Sequence, residues 1–107
     1  MTLKWSPHAL MLFSDILDTI FYELSAGDMF RWREKIEDAA LILEHFPNSG
    51  VRVPTECFDT IPANADRLMQ TFCRPYRIVY EVTEDEVRIL SIRHARMLVT
   101  SDDSCWH

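Results

Sequence analysis

A chain of 107 residues, 48% hydrophobic and 26% charged, has room for one compact domain and no second. Three Trp, six Phe and three Tyr supply a core, and with only two Gly and five Pro the chain is neither linker-like nor collagenous. A net charge of -6 argues against a general polyanion binder, and no apolar run approaches the roughly 18 residues of a membrane span, so a cytoplasmic protein with no membrane partner is expected.

Thr2 to Trp5 reads as a short strand, followed by Ser6 as a helix N-cap and Pro7 at the first helical position. Leu10, Phe13, Ile16, Leu17, Ile20, Phe21 and Leu24 recur at three- and four-residue spacing, opposite Ser14, Asp15, Asp18, Thr19 and Glu23, which predicts an amphipathic helix. Gly27 is expected to close it in the left-handed conformation and Asp28 to cap the next. From Met29 to Phe46 the period returns, with Met29, Trp32, Ile36, Ala39, Leu43 and Phe46 on one stripe, until Pro47-Asn48-Ser49-Gly50 turns the chain. Two long helices so tightly joined form an antiparallel hairpin that must cover another layer.

Beyond Gly50 the pattern becomes extended, weakly at Val51 to Val53, and the segment from Pro54 to Pro62 has no period. Arg67 to Phe72 is a candidate strand, and Tyr76 to Val82 is a strong one, rich in β-branched and aromatic residues. Thr83-Glu84-Asp85 then makes a hairpin turn into Val87 to Ile92. The expected fold is α+β: a short N-terminal strand and a two-helix antiparallel hairpin packed on a mainly antiparallel sheet. One domain over residues 1–100 and a frayed tail over 101–107 complete the organisation.

Cys57, Cys73 and Cys105 are odd in number and widely spaced, which argues against a disulfide framework or zinc knuckle. Cys105 and His107 on a tail make a poor metal site, so no metal and no cofactor are expected. Charge is unevenly placed. Residues 1–50 carry four basic and eight acidic side chains, whereas residues 51–100 carry seven Arg and seven acids, with Arg67, Arg74, Arg77, Arg88, Arg93 and Arg96 within thirty positions. A sheet with Arg on a solvated face is the plain explanation.

Three segments together resemble one family. Trp5-Ser6-Pro7-His8-Ala9, with Phe13, Ile16 and Ile20 after it, is similar to the opening of the RelE/ParE toxin superfamily, and Leu43 through Pro47 to Gly50 is similar to its junction after the second helix. More specific are Arg67-Leu68, Tyr76-Arg77-Ile78-Val79-Tyr80 and Val87-Arg88-Ile89-Leu90-Ser91-Ile92-Arg93-His94-Ala95-Arg96. The resemblance, from Leu3 to about Leu98, implies the toxin of a bacterial type II toxin-antitoxin pair, held inactive by a cognate antitoxin, with a homodimer or a toxin-antitoxin hetero-oligomer as its assembly. ParE-like members poison DNA gyrase, whereas RelE-like members cut messenger RNA on the ribosome.

Cleavage of RNA needs a general base, a general acid and cations for the developing phosphoryl charge. Arg supplies only the last, so the proton carriers would come from His94, Glu81, Tyr76 or Tyr80, with His94, Arg77 and Arg96 as the nuclease set. Only Lys4 and Lys35 are lysines, and neither lies in the sheet segment. With the acidic net charge this favours the ParE-like reading, in which the protein binds its target and performs no chemistry. Arg67, Arg77, Arg93, His94 and Arg96 are then the target-binding candidates. His94 serves equally well as a strand-end structural residue, Tyr76 and Tyr80 as core, and Arg67 as a salt-bridge partner of Glu81 or Asp66. Met97 stands where the family has a second Arg, which admits an inactive toxin fold that keeps only its antitoxin interface.

Overall fold

A computed structural model describes all 107 residues. Strand β1 (Thr2–Trp5) leads into helix α1 (Pro7–Glu23), helix α2 (Ala26–His45) and a two-residue strand β2 (Val51–Arg52). Strands β3 (Met69–Cys73), β4 (Tyr76–Val82) and β5 (Glu86–His94) complete one five-stranded sheet in the order β1-β5-β4-β3-β2. All neighbours are antiparallel except β1 and β5, which run parallel with Thr2 opposite Glu86 and Trp5 opposite Ile89. The expected α+β architecture and the central hairpin of β4 and β5 are present.

Ser6 ties the helical layer to the sheet. Its Oγ accepts from Ala9 N–H at 3.0 Å as the N-cap and donates to the Leu90 carbonyl at 3.2 Å, and its own N–H donates to the Ile89 carbonyl at 2.9 Å. Capping of this kind contributes about 1 kcal/mol, and the bonds to β5 fix where α1 starts over the sheet. The second helix begins earlier than its apolar stripe suggests. Ser25, not Asp28, is the N-cap, with its hydroxyl accepting from Asp28 N–H at 3.0 Å, so Gly27 lies inside the first turn and has no positive φ.

Sheet alternation divides the core in two. Ile78 and Tyr80 of β4 join Val87, Ile89 and Ile92 of β5 under Ala9, Phe13, Ile36, Ala40 and Leu43 of the helices. A register shift between Val79 and Tyr80 sets Tyr80 opposite Ile89 and frees Leu90 for the other face. There Leu90 and Val79 pack with Val53, Phe58, Leu68 and Val99. At roughly 1.5–3 kcal/mol for each fully buried large side chain, this second cluster is a real core. It explains the segment after Pro54, which showed no period: short 3₁₀ turns at Thr55–Cys57 and Ala65–Arg67 and a bridge between Phe58 and Val99 lay it across the back of the sheet. Arg67 therefore belongs to a turn, and the strand expected at Arg67 begins at Met69.

Gly50 is required by close approach. A Cβ there would stand 2.4 Å from both the Gln70 carbonyl and the Tyr80 hydroxyl, and the Gly50 N–H donates to that hydroxyl at 3.1 Å. The hydroxyl donates in turn to the Pro47 carbonyl at 2.9 Å, so a core tyrosine reaches up to hold the exit of α2. Burial pushes its phenol above the ordinary range, although the Gly50 N–H acts the other way.

Candidate functional site

One end of the sheet gathers most of the residues singled out from sequence. Tyr76 opens β4 opposite His94, and Ala95 N–H donates to the Pro75 carbonyl at 2.8 Å, so the β3–β4 turn and the chain leaving β5 meet there. Alternation sends Arg77 to the back face, where it is only 8% exposed. Its Nη1 donates to the Met97 carbonyl at 2.9 Å and its Nη2 to the Ala95 carbonyl at 3.0 Å, with Cys57 Sγ at 3.7 Å. Nε is buried without a partner. A guanidinium so placed fixes the backbone of the turn and leaves the side chains of Arg96, Met97 and Leu98 in solvent.

On the helix side of the same end lies a cleft of about 470 Å³ between Leu12, Asp15, Ile16 and Thr19 of α1 and the ends of β4 and β5. Tyr76, His94 and Met97 face it. His94 Nδ1 accepts from Arg96 N–H at 3.1 Å, so the neutral ring carries its proton on Nε2, which has no protein partner. The rings of Trp32, Tyr76 and His94 follow edge to face, with centroids 5.5 and 6.4 Å apart, and Lys35 Nζ lies 4.9 Å from the Trp32 centroid. Burial, helped by the neighbouring Cys73, pushes the Tyr76 phenol up, so it stays a protonated donor at neutral pH.

A family model described as the ParE toxin of the type II toxin-antitoxin system parDE matches residues 3–99. The chain belongs to the ParE toxin family. It is also similar in fold to a chain of the chromosomal ParDE TA system from P. aeruginosa, at 23% identity and a TM-score of 0.70, over 88% of this chain and 95% of that one. No curated protein sequence matches it.

In this ParE-family toxin the remaining candidates are dispersed. Arg93 sits beside His94 in sequence but on the back face, bound through Nε to both oxygens of Asp103 at 2.8 and 3.0 Å. Arg67 is exposed at the start of β3, the far end of that strand from the β3–β4 turn, and pairs with neither Glu81 nor Asp66; Glu81 faces Arg88 at 3.9 Å instead. Glu81 and Tyr80 are likewise away from His94, opposite Arg88 and Ile89.

Asp103 escaped sequence reasoning because it lies in the segment expected to fray. It is fully buried, and besides Arg93 it accepts from Thr100 N–H at 3.1 Å and Thr100 Oγ1 at 3.2 Å and meets His8 Nε2 at 2.9 Å. Burial alone would raise its carboxyl; the bonds from His8, Thr100 and Arg93 outweigh that and hold it below the usual carboxylate range. The last residues are correspondingly ordered. His107 stacks on His8 at 5.0 Å and its carbonyl accepts from His8 N–H at 2.7 Å, while Trp106 lies under Arg88 at 5.7 Å. The Thr100-x-x-Asp103 capping box is the one sequence signal that would have found this. Nowhere do three His, Cys, Asp or Glu side chains converge as a metal site needs, and no helix is long and apolar enough to cross a membrane.

The outer face of the helical hairpin carries a second concavity. Leu10, Phe13, Leu17, Phe21, Tyr22 and Met29 line an open groove of about 620 Å³. Tyr22 in this groove is 82% exposed, and Met11 and Phe30, elsewhere on the hairpin, are 53% and 58% exposed. Apolar surface of this extent on one element is the mark of a partner site.

Proposed function

We propose that this ParE-family toxin arrests growth in the cytoplasm by binding DNA gyrase through the end of the sheet where β5 gives way to Arg96-Met97-Leu98. The observation that carries the reading is the turn itself: its carbonyls are clamped from behind by Arg77 while its three side chains stand in solvent. A preorganised protruding turn loses little entropy on binding, which suits an inhibitor that acts by contact. Arg96 and His94 are the contact residues. Arg77 and Arg93 act through the backbone and the closing segment they hold, and Arg67 contributes only if the target reaches the far end of β3.

The cognate antitoxin takes the groove between α1 and α2, supported by the exposed Phe21 and Tyr22 that line it. The messenger RNA nuclease alternative draws less support, since Arg77, its phosphate-binding cation, has both Nη atoms committed to carbonyls. The test is induction without antitoxin in a bacterium carrying a DNA-damage reporter, beside a gyrase DNA-cleavage assay with purified protein. Arrest with the reporter on and cleaved DNA accumulating is the expected result. Arrest with a silent reporter would move the target to the ribosome, and no arrest would mean a binding module only.

A further inference from the structure

Exposed arginines without an ion pair stand at both ends of the sheet, Arg52 and Arg67 around the start of β3 and two more at the other end. Arg74 in the β3–β4 turn and Arg96 after β5 are both exposed and form no ion pair. Each adjoins one of the two residues joined by the hydrogen bond from Ala95 to Pro75, so their side chains leave the same rim. The Arg74 guanidinium rests 4.7 Å from the centroid of the Phe72 ring, which fixes it without neutralising it. On the helix side of the rim the Tyr76 hydroxyl and His94 Nε2 are free donors, and Lys35 stands beyond Trp32. Asp15 across the cleft bounds this zone. At the far end of β4, about 20 Å away at ~3.3 Å per residue, the β4–β5 turn carries the unpaired acids Glu84 and Asp85.

In a protein of net charge -6, a rim where two free guanidiniums and free donors surround a row of half-buried rings has the elements of a phosphodiester surface. Cations and neutral donors take the phosphates, and rings stack on bases whatever their sequence. Building on the gyrase reading above, we infer that this rim binds a phosphodiester strand, namely the DNA that gyrase holds, so that the toxin recognises enzyme and DNA together. Arg74 and Arg96 neutralise phosphates, and Tyr76 and His94 donate to phosphate oxygens. An acidic protein surface would satisfy the two arginines but would leave the Trp32–Tyr76–His94 row without a counterpart. Two or three phosphate contacts give weak, salt-sensitive binding, effective only next to a protein contact.

The experiment is fluorescence anisotropy of labelled single-stranded DNA, duplex DNA and RNA with the whole protein, between about 50 and about 200 mM salt. The same preparations go into the gyrase DNA-cleavage assay. Binding to DNA that weakens with salt is expected. Arg74→Ala and Arg96→Ala should each weaken it by about 3–10-fold and lower the salt slope by about 0.7–1, while Asp15→Asn tightens it; unchanged melting temperatures confirm that these exposed variants fold. Wild-type protein that traps cleaved DNA on gyrase yet binds no DNA, or binds it equally in both Arg variants, overturns the inference and leaves the gyrase reading standing. Affinity for gyrase without DNA that falls in Arg74→Ala as far as in Arg96→Ala would assign the whole rim to an acidic protein surface, and preference for RNA with strand scission would assign it to a nuclease; either overturns it. DNA binding by a protein inert toward gyrase would sink the gyrase reading and, with it, the proposed source of the strand.

Discussion

Arg77 and Arg93 carry charge on the same face of the sheet but find different partners, neutral carbonyls for the first and a carboxylate for the second, and the difference gives separate expectations. Arg77 spends its charge on two carbonyls, so Arg77→Ala leaves both unsatisfied and should cost about 2–4 kcal/mol. Amide hydrogen exchange over residues 95–98 would rise with it; unchanged protection there would refute the clamp. Arg93 shares Asp103 with His8 and Thr100. Asp103→Ala, which strips a buried carboxylate from its partners, should cost about 3 kcal/mol and loosen residues 100–107. The sign of the acid dependence follows from the lowered carboxyl. Its stabilisation is complete above the unfolded value near 3.9 and is lost as pH falls through the still lower folded value. Denaturant midpoints should therefore drop with acid below about pH 4, and Asp103→Asn should flatten that decline.

At the level of elements, the legible and illegible parts separate by the range of the forces that make them. α1, β4 and β5 were readable because a 3.6-residue or two-residue period repeats for several turns or pleats in each. The start of α2 was misjudged by three residues, since Ser25 caps it through a local hydrogen bond that the apolar stripe does not register. Residues 54–62 were unreadable because their order comes from the packing of Phe58 with Val79, Leu90 and Val99, far away in sequence. The candidate site divides in the same way. His94 and Arg96 were placed at the rim by strand pairing, whereas the burial of Arg77 and the whole Asp103 cluster depended on where the closing segment lies. The helical hairpin offers an element-scale test. Tyr22→Glu on its exposed groove should abolish antitoxin binding by at least tenfold while leaving growth arrest and melting temperature intact, about 1.4 kcal/mol of interaction or more; arrest lost together with antitoxin binding would show that one surface serves both partners.

Over the whole molecule, net acidity and a local cationic rim coexist, because Arg74 and Arg96 protrude at one end of β4 while the turn with Glu84 and Asp85 lies at the other. Long-range repulsion from nucleic acid is screened within about 8 Å at physiological salt, so a rim contact senses its own arginines more than the distant Glu84 and Asp85. Gyrase inhibition should accordingly weaken as salt rises, and less steeply in Arg96→Ala than in the wild type; equal slopes would place Arg96 outside the contact.

The parallel pair of β1 and β5 also orders events in time. Residues 2–5 find their neighbours only at residues 86–89, so the sheet cannot close until nearly all of the chain has been synthesised. Until then the helical hairpin stands with its inner face uncovered, and the clamped turn of Ala95 to Met97 does not exist. Ribosome-held chains ending before Glu86 should be digested readily by protease, and chains extended past His94 and clear of the exit tunnel should resist it. On the proposed function, a toxin made this way is harmless for most of its own translation, and its antitoxin can meet the helices before the target-binding end has been built.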